Sequence, residues 1–219
     1  MALNKLKYNS LNVTPVANKA ISFDSDPDAL EATLGGGSMT FIKKLTASSS
    51  GTLSFVDGSS DVVLDSTYKE YMFIFNNIHP SADNSAFQVN FSVDGGSNYN
   101  VTKTTSYFFA LHKEDGSNNN FAYSAGADLA QGTGNQQIAQ NIGNDNDQSV
   151  SGELTLFNPS STTFVKHFIA TTQMAELNEN TVNVFSAGYG NTTSAINAVK
   201  FQMDSGNIDA GTITLYGIN

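Results

Sequence analysis

The stretch that decides the fold is Ala86–Gly96, which reads AFQVNFSVDGG. Large apolar residues occupy every second position, namely Phe87, Val89, Phe91 and Val93. Polar residues fill the positions between them, namely Gln88, Asn90, Ser92 and Asp94. A period of two predicts a β-strand with one buried and one solvated face, and the Asp-Gly-Gly that follows predicts a turn. The segment therefore indicates antiparallel sheet.

The same pattern continues along most of the chain. Ala198–Asp204 repeats it, with Val199, Phe201 and Met203 on the apolar face. Further strands are predicted near 41–46, 52–56, 150–157, 164–170 and 182–187, which gives roughly ten strands after Met39. Only Thr172–Leu177 has a helical pattern, and it is short.

Two segments are apolar on both faces, Tyr71–Phe75 and Tyr107–Leu111. We expect central strands that are covered on each side or that lie at a subunit contact. The final residues, SGNIDAGTITLYGIN, also form a strand pattern, with Ile213 and Leu215 on one face. We predict that this last strand lies inside a sheet, because an exposed edge would leave its backbone groups unpaired.

These patterns predict an all-β fold, an antiparallel two-sheet sandwich that is jelly-roll-like, with an extended N-terminal arm. The sandwich domain is expected over residues 38–219. Residues 1–37 contain short alternating pieces, an acidic segment and the glycines of Gly35–Ser38. We interpret them as an arm with a glycine hinge.

Composition excludes several functions. The chain has 219 residues, 20 acidic side chains and ten basic ones, a formal charge of −10, and every basic residue is lysine. This balance argues against nucleic-acid binding, which depends on basic patches and on arginine. There is no cysteine, so disulfides and thiol chemistry are excluded. No signal peptide or membrane span is recognisable, and synthesis in a cytoplasm is expected.

No catalytic constellation is evident. The three histidines, His79, His112 and His167, each lie among residues that explain them structurally, and no nucleophile or metal ligand accompanies them. The glycine-rich pieces GTGNQQ and GYGNTT lack a third glycine and a following helix. Paired carboxylates for glycoside hydrolysis leave no local motif, so they stay open. We predict no catalytic, cofactor or metal site and no enzyme activity.

Two acidic segments offer oxygen ligands for calcium, Asp24–Asp28 with Glu31 and Asn144–Asp147. Neither fits the twelve-residue calcium loop, and solvated loops are the better interpretation. Tyrosine and asparagine around Asn98–Asn100 and at Tyr189 are typical of sugar-binding loops, but also of ordinary turns.

Several stretches carry a resemblance to a known group of proteins. They are FIFNNIHP at Phe73–Pro80, NPSSTT at Asn158–Thr163, SGNIDAGT at Ser205–Thr212 and the opening LNKLKYNSLNVTPVANKAISF. Here the chain resembles small β-rich virion structural proteins of marine tailed bacteriophages, especially those of cyanobacteria. The resemblance spans most of the chain and implies a virion component. Arms in such proteins dock to a neighbour, and such chains assemble as closed oligomers, above all trimers.

Two functions follow as hypotheses. The first is a non-enzymatic structural protein of the virion, a tail fibre or appendage or a capsid decoration. It would be a homotrimer held to other virion proteins through its arm, with no nucleic-acid partner and no membrane insertion, while contact with host surface glycans stays open. The alternative is a carbohydrate-binding module or a glycan-degrading enzyme on a β-sandwich. A groove with two carboxylates and aromatic stacking residues would favour the alternative.

Overall fold

A computed structural model describes the backbone of Ala20–Phe23 and Leu30–Thr33 and all of residues 38–219. The first two segments are strands β1 and β2, which pair antiparallel with Ala20 opposite Thr33. The remainder of the predicted arm and hinge, including Asp24–Asp28, lies outside the described residues. Residues 38–219 contain strands and turns without a helix, so the predicted all-β class is confirmed.

Twelve further strands follow in chain order. They are β3 (Met39–Thr46), β4 (Leu53–Val56), β5 (Glu70–Pro80), β6 (Ser85–Ser92), β7 (Lys103–Lys113), β8 (Asn119–Tyr123), β9 (Gln136–Ile142), β10 (Val150–Phe157), β11 (Lys166–Glu176), β12 (Asn180–Gly190), β13 (Ala198–Met203) and β14 (Ile208–Ile218).

These strands form one antiparallel sheet that folds over until it nearly closes on itself. One part has the order β3-β14-β5-β10-β11-β12-β7-β8, and we call it the front half. The back half has the order β9-β6-β13-β4. A single residue pair, Glu176 of β11 and Ile142 of β9, links the two halves in register.

A cluster of phenylalanine rings fills the space between the halves. Phe201 of β13 lies 5.2 Å from Phe75 and 5.3 Å from Phe73, measured between ring centroids, and both of these belong to β5. Phe55 of β4 packs edge-on against Phe73 at 5.2 Å, and Phe87 of β6 against Phe75 at 5.2 Å. All five rings are buried. In each of these strands the alternating apolar residues of the sequence face the core.

The expectation of a solvated face on β6 is wrong. Every residue of this strand is buried, including Gln88, Asn90 and Ser92. The strand lies between β9 and β13, and loop residues contact its polar side: Asn90 donates to the carbonyl oxygens of Tyr99 and Thr133. Polar side chains in the pattern therefore became interior hydrogen-bonding groups instead of surface groups.

The prediction of a short helical segment at Thr172–Leu177 is also wrong, because Thr172 to Glu176 form the end of strand β11. Five consecutive pairs with β12 hold this segment extended, and tertiary pairing overrides such a short local preference. Strands β8 and β9 were not predicted from the sequence. Both are rich in Asn or Gln, which obscures the period of two.

The prediction for the chain end is confirmed. Strand β14 lies between β3 and β5, and Thr212 to Ile218 pair with Asn76 to Glu70. Ile213 and Leu215 are fully buried. The last residues are thus part of the core.

Candidate functional site

The outer surface of the front half carries many large apolar side chains. Along β5, β7, β11 and β12 the burial alternates, so every second side chain points away from the phenylalanine core. Many outward side chains of these strands and of β3, β8, β10 and β14 are large and apolar, and we call them the outer aromatic face. They are Phe41, Met72, Ile74, Phe108, Phe121, Tyr123, Phe157, Ile169, Phe185, Tyr189 and Tyr216.

Rings touch one another across neighbouring strands of this face. Phe108 of β7 stacks on Phe185 of β12 with centroids 5.1 Å apart and planes 12° apart. Phe121 of β8 approaches Phe108 edge-on at 5.8 Å. At the opposite end, Phe41 of β3 lies 6.0 Å from Tyr216 of β14. Apolar rings thus cluster near both edges of the front half.

Several of these side chains are strongly exposed. The exposed fraction is 71% for Phe121, 59% for Phe41, 51% for Ile169 and 40% for Phe185. Single exposed apolar residues are common on soluble proteins, but contiguous apolar patches mark interaction sites. A shallow depression of about 550 Å³ lies within the face, lined by Phe157, Ile169 and Tyr189 among others.

Charge is nearly absent from the middle of the face. The outward positions of β7, β10, β11 and β12 contain one carboxylate, Glu153, and no lysine. The whole chain, in contrast, carries 20 acidic residues. Depletion of charge together with enrichment of aromatic residues is the composition of a protein–protein interface.

The three histidines occupy different places. His167 lies on the outer aromatic face, with its ring 6.2 Å from that of Tyr189, and His112 is exposed on β7. His79 is near the acidic loop: its Nε2 lies 3.2 Å from the carbonyl oxygen of Asp145, and its Nδ1 lies 3.8 Å from an Asp209 carboxylate oxygen. The fold brings no two histidines together.

The acidic loop Asn144–Asp147 is closed by its own hydrogen bonds. The Gln148 backbone N–H donates to the Asp145 carbonyl at 2.9 Å, and the Asp145 N–H donates to Oε1 of Gln148. Within residues 38–219 no group of three His, Asp or Glu side chains could hold a metal ion.

The tyrosine and asparagine positions divide between turn and face. Asn98 donates to both carboxylate oxygens of Asp94, and these bonds, with one from Ser92, lower the Asp94 pKa to about 2. Tyr99 stacks under the Lys200 ammonium at 4.9 Å. These contacts are turn chemistry. Tyr189, in contrast, is part of the outer aromatic face.

A polar groove of about 310 Å³ lies beside the ends of β10, β11 and β12. Its lining includes the carboxylates of Glu114 and Asp147 with the amides of Asn77, Gln173 and Asn180. No aromatic side chain lines this groove. Sugar-binding grooves use aromatic rings for stacking. This groove has two carboxylates but lacks the aromatic stacking residues that would favour a glycan-active protein.

Comparison with known proteins gives no match: no protein-family model fits the sequence, and neither a curated protein nor a solved structure is similar to it at a significant level. In the part of the chain that the structure describes, no helix is long and apolar enough to cross a membrane.

Proposed function

We propose that this chain is a non-enzymatic structural protein of a tailed-phage virion, which assembles with copies of itself through the outer aromatic face. A tail fibre or appendage and a capsid decoration both fit this role. The virion assignment rests on the resemblance of the sequence to marine phage proteins. The observation that carries the assembly role is the set of exposed apolar side chains of the outer aromatic face, together with the single carboxylate at the outward positions of β7, β10, β11 and β12.

A second copy is the partner that this surface suits best. Two chains of charge −10 repel each other, so they associate most readily where each surface is free of charge. Burial of apolar area also supplies the driving force for association. Closed rings are the common result, and a trimer is the arrangement we favour. The arm at residues 1–37 is proposed as the attachment to other virion proteins.

The strand order supports a jelly roll with two layers. If the hairpins β7–β8 and β11–β12 are set aside, eight strands of residues 38–219 remain. The front half keeps β3, β14, β5 and β10, and the back half keeps β4, β13, β6 and β9. The chain alternates between the halves in nearly every step, as in a double Greek key. The two set-aside hairpins widen the front half and supply much of the outer aromatic face.

The assembly role is tested by placing a charge in the face. Phe185→Lys should convert the oligomer of the parent chain into a monomer in light scattering at micromolar concentration, because a buried unpaired ammonium opposes association. Thr181→Lys is the matched control, since Thr181 is an exposed outward position on the same strand, away from the rings. A monomeric parent, or an unchanged oligomer for Phe185→Lys, contradicts this interface.

The virion assignment has its own test. An antibody against this protein should label intact phage particles in electron microscopy, and the labelled position distinguishes a fibre from a capsid decoration. Particles without label under conditions that label a known virion protein contradict the assignment.

A further inference from the structure

Two lysines lie inside the protein instead of at its surface. Lys103 begins β7 and Lys166 begins β11, and both are fully buried. They are neighbours in register, since each pairs with Gly190 of β12. Among the described residues no carboxylate lies within 4.0 Å of either amine. Burial lowers the pKa of Lys103 to about 8, so the neutral amine of Lys103 becomes accessible near neutral pH. Burial also lowers the pKa of Lys166.

The amine of Lys103 faces a side-chain carboxamide. Its Nζ lies 2.6 Å from Oδ1 of Asn90 and 2.7 Å from the carbonyl oxygen of Val101. Since a carbonyl bond is about 1.23 Å long, Nζ is also close to the Asn90 Cγ atom. The ring of Phe91, 6.0 Å from Nζ, helps to keep the environment apolar. A neutral amine beside an acyl carbon is a nucleophile beside an electrophile.

The Asn90 amide is held in one orientation. Its Nδ2 donates to the carbonyl oxygen of Tyr99 at 2.7 Å, to that of Thr133 at 3.2 Å and to Oδ1 of Asn135 at 3.0 Å. These three acceptors keep Oδ1 turned toward Lys103. The backbone N–H of Phe91 donates to the same Oδ1 at 2.9 Å. That donor is placed where negative charge would develop on the oxygen during attack at Cγ.

We propose that Lys103 and Asn90 join in an intramolecular isopeptide bond. Nζ of Lys103 gives up one proton and attacks Cγ of Asn90, and a second Nζ proton passes to Nδ2 as the bond between Cγ and Nδ2 breaks. Nδ2 leaves as ammonia and takes up the first proton as ammonium. Atoms and charge balance without an oxidant, a metal or a cofactor.

The fold supplies the rate by holding the two groups together, since fixed neighbours react with effective molarities of about 10⁵–10⁸ M. No carboxyl group contacts either side chain within residues 38–219, so proton transfer is unassisted and the bond forms slowly after folding. It ties β6 of the back half to β7 of the front half. In a chain without cysteine, it provides a covalent link that does not depend on redox conditions.

The test is the mass and the tryptic map of the full chain after prolonged incubation below its melting temperature. The intact mass should fall by one ammonia molecule. Trypsin cleaves after free lysine, so the peptide Glu70–Lys103 should disappear, and Glu70–Lys113 lacking one ammonia should replace it. An asparagine succinimide also loses ammonia, but it leaves Lys103 free for cleavage.

Lys166 provides the matched control. Its side chain is also buried, but within residues 38–219 its amine hydrogen-bonds only to the main-chain carbonyl oxygens of Phe164, at 2.8 Å, and Thr192, at 3.2 Å. Lys166→Gln should retain the loss of ammonia, and Lys103→Gln should abolish it. If either variant fails to fold, the parent map still decides. Full intact mass and a normal Glu70–Lys103 peptide in the parent overturn the proposal.

Discussion

Comparing the stabilities of Phe201→Ala and Phe185→Ala tests which phenylalanine belongs to the core and which to the outer aromatic face. The ring of Phe201 is fully buried and meets four other phenylalanine rings, with centroid distances from 5.2 Å to Phe75 up to 6.3 Å to Phe55. Removing such a ring leaves a cavity and costs about 3–5 kcal/mol. Domains of this kind are stable by roughly 5–15 kcal/mol, so a large part of the free energy of unfolding is lost.

Phe185 loses the same atoms from a different place. It is 40% exposed and makes one close stack with Phe108, so its removal should cost about 0.5–1.5 kcal/mol within one chain. Urea unfolding followed by circular dichroism measures both losses, at several protein concentrations because association adds to apparent stability. Equal losses for the two variants, or a loss below about 1 kcal/mol for Phe201→Ala, would refute the placement of the core.

Three further predictions concern the chain end, a tight contact and pH. Deleting Thr212–Asn219 removes two buried aliphatic side chains, each worth about 1.5–3 kcal/mol, and the pairing with β5, so we expect insoluble protein. Deleting only Ile218 and Asn219 should leave soluble protein. The solubility of the two variants on expression measures the difference. Gly217→Ala places a Cβ against the Tyr68 ring. It should lower stability by about 1–3 kcal/mol in urea unfolding, and by less in a Tyr68→Ala background. Before the Lys103–Asn90 bond forms, stability should rise as the pH increases from about 8 toward 10, because only the unfolded chain keeps a proton on Lys103 there. It should fall again above that range, where Tyr71 and Tyr107, whose pKa values burial raises, ionise more readily when unfolded. Thermal melts across this range measure both effects, and Lys103→Gln should show a smaller rise in the first part, because Lys166, whose pKa burial also lowers, is still present.

Much of the fold is predictable from local pattern. The period of two at Phe87–Phe91 and at Val199–Met203 identifies both strands and their core-facing residues, because burial on one side of a pleated strand requires apolar side chains at alternate positions. Ile213 and Leu215 reveal the last strand in the same way. Strands β8 and β9 escape this logic, since asparagines and glutamines occupy positions where the pattern requires apolar side chains. Gln136 of β9, for example, accepts a hydrogen bond from Thr105 of β7.

The candidate sites depended more on tertiary structure. The sequence alone determined that Tyr71–Phe75 and Tyr107–Leu111 are apolar on both faces, and that the chain offers no cysteine and no arginine. It did not determine that Phe108, Phe121 and Phe185 form one surface, because strand order sets those neighbours and long-range hydrogen bonds set strand order. Nor did it place Lys103 beside Asn90: the alternation on β6 assigns Asn90 to solvent, and only the packing of the loops and the front half over that strand turns it inward. The alternation of residues along a strand shows which side of the strand is apolar. Which residues cover the other side depends on how the sheet folds over, and this brings together residues that are distant in sequence.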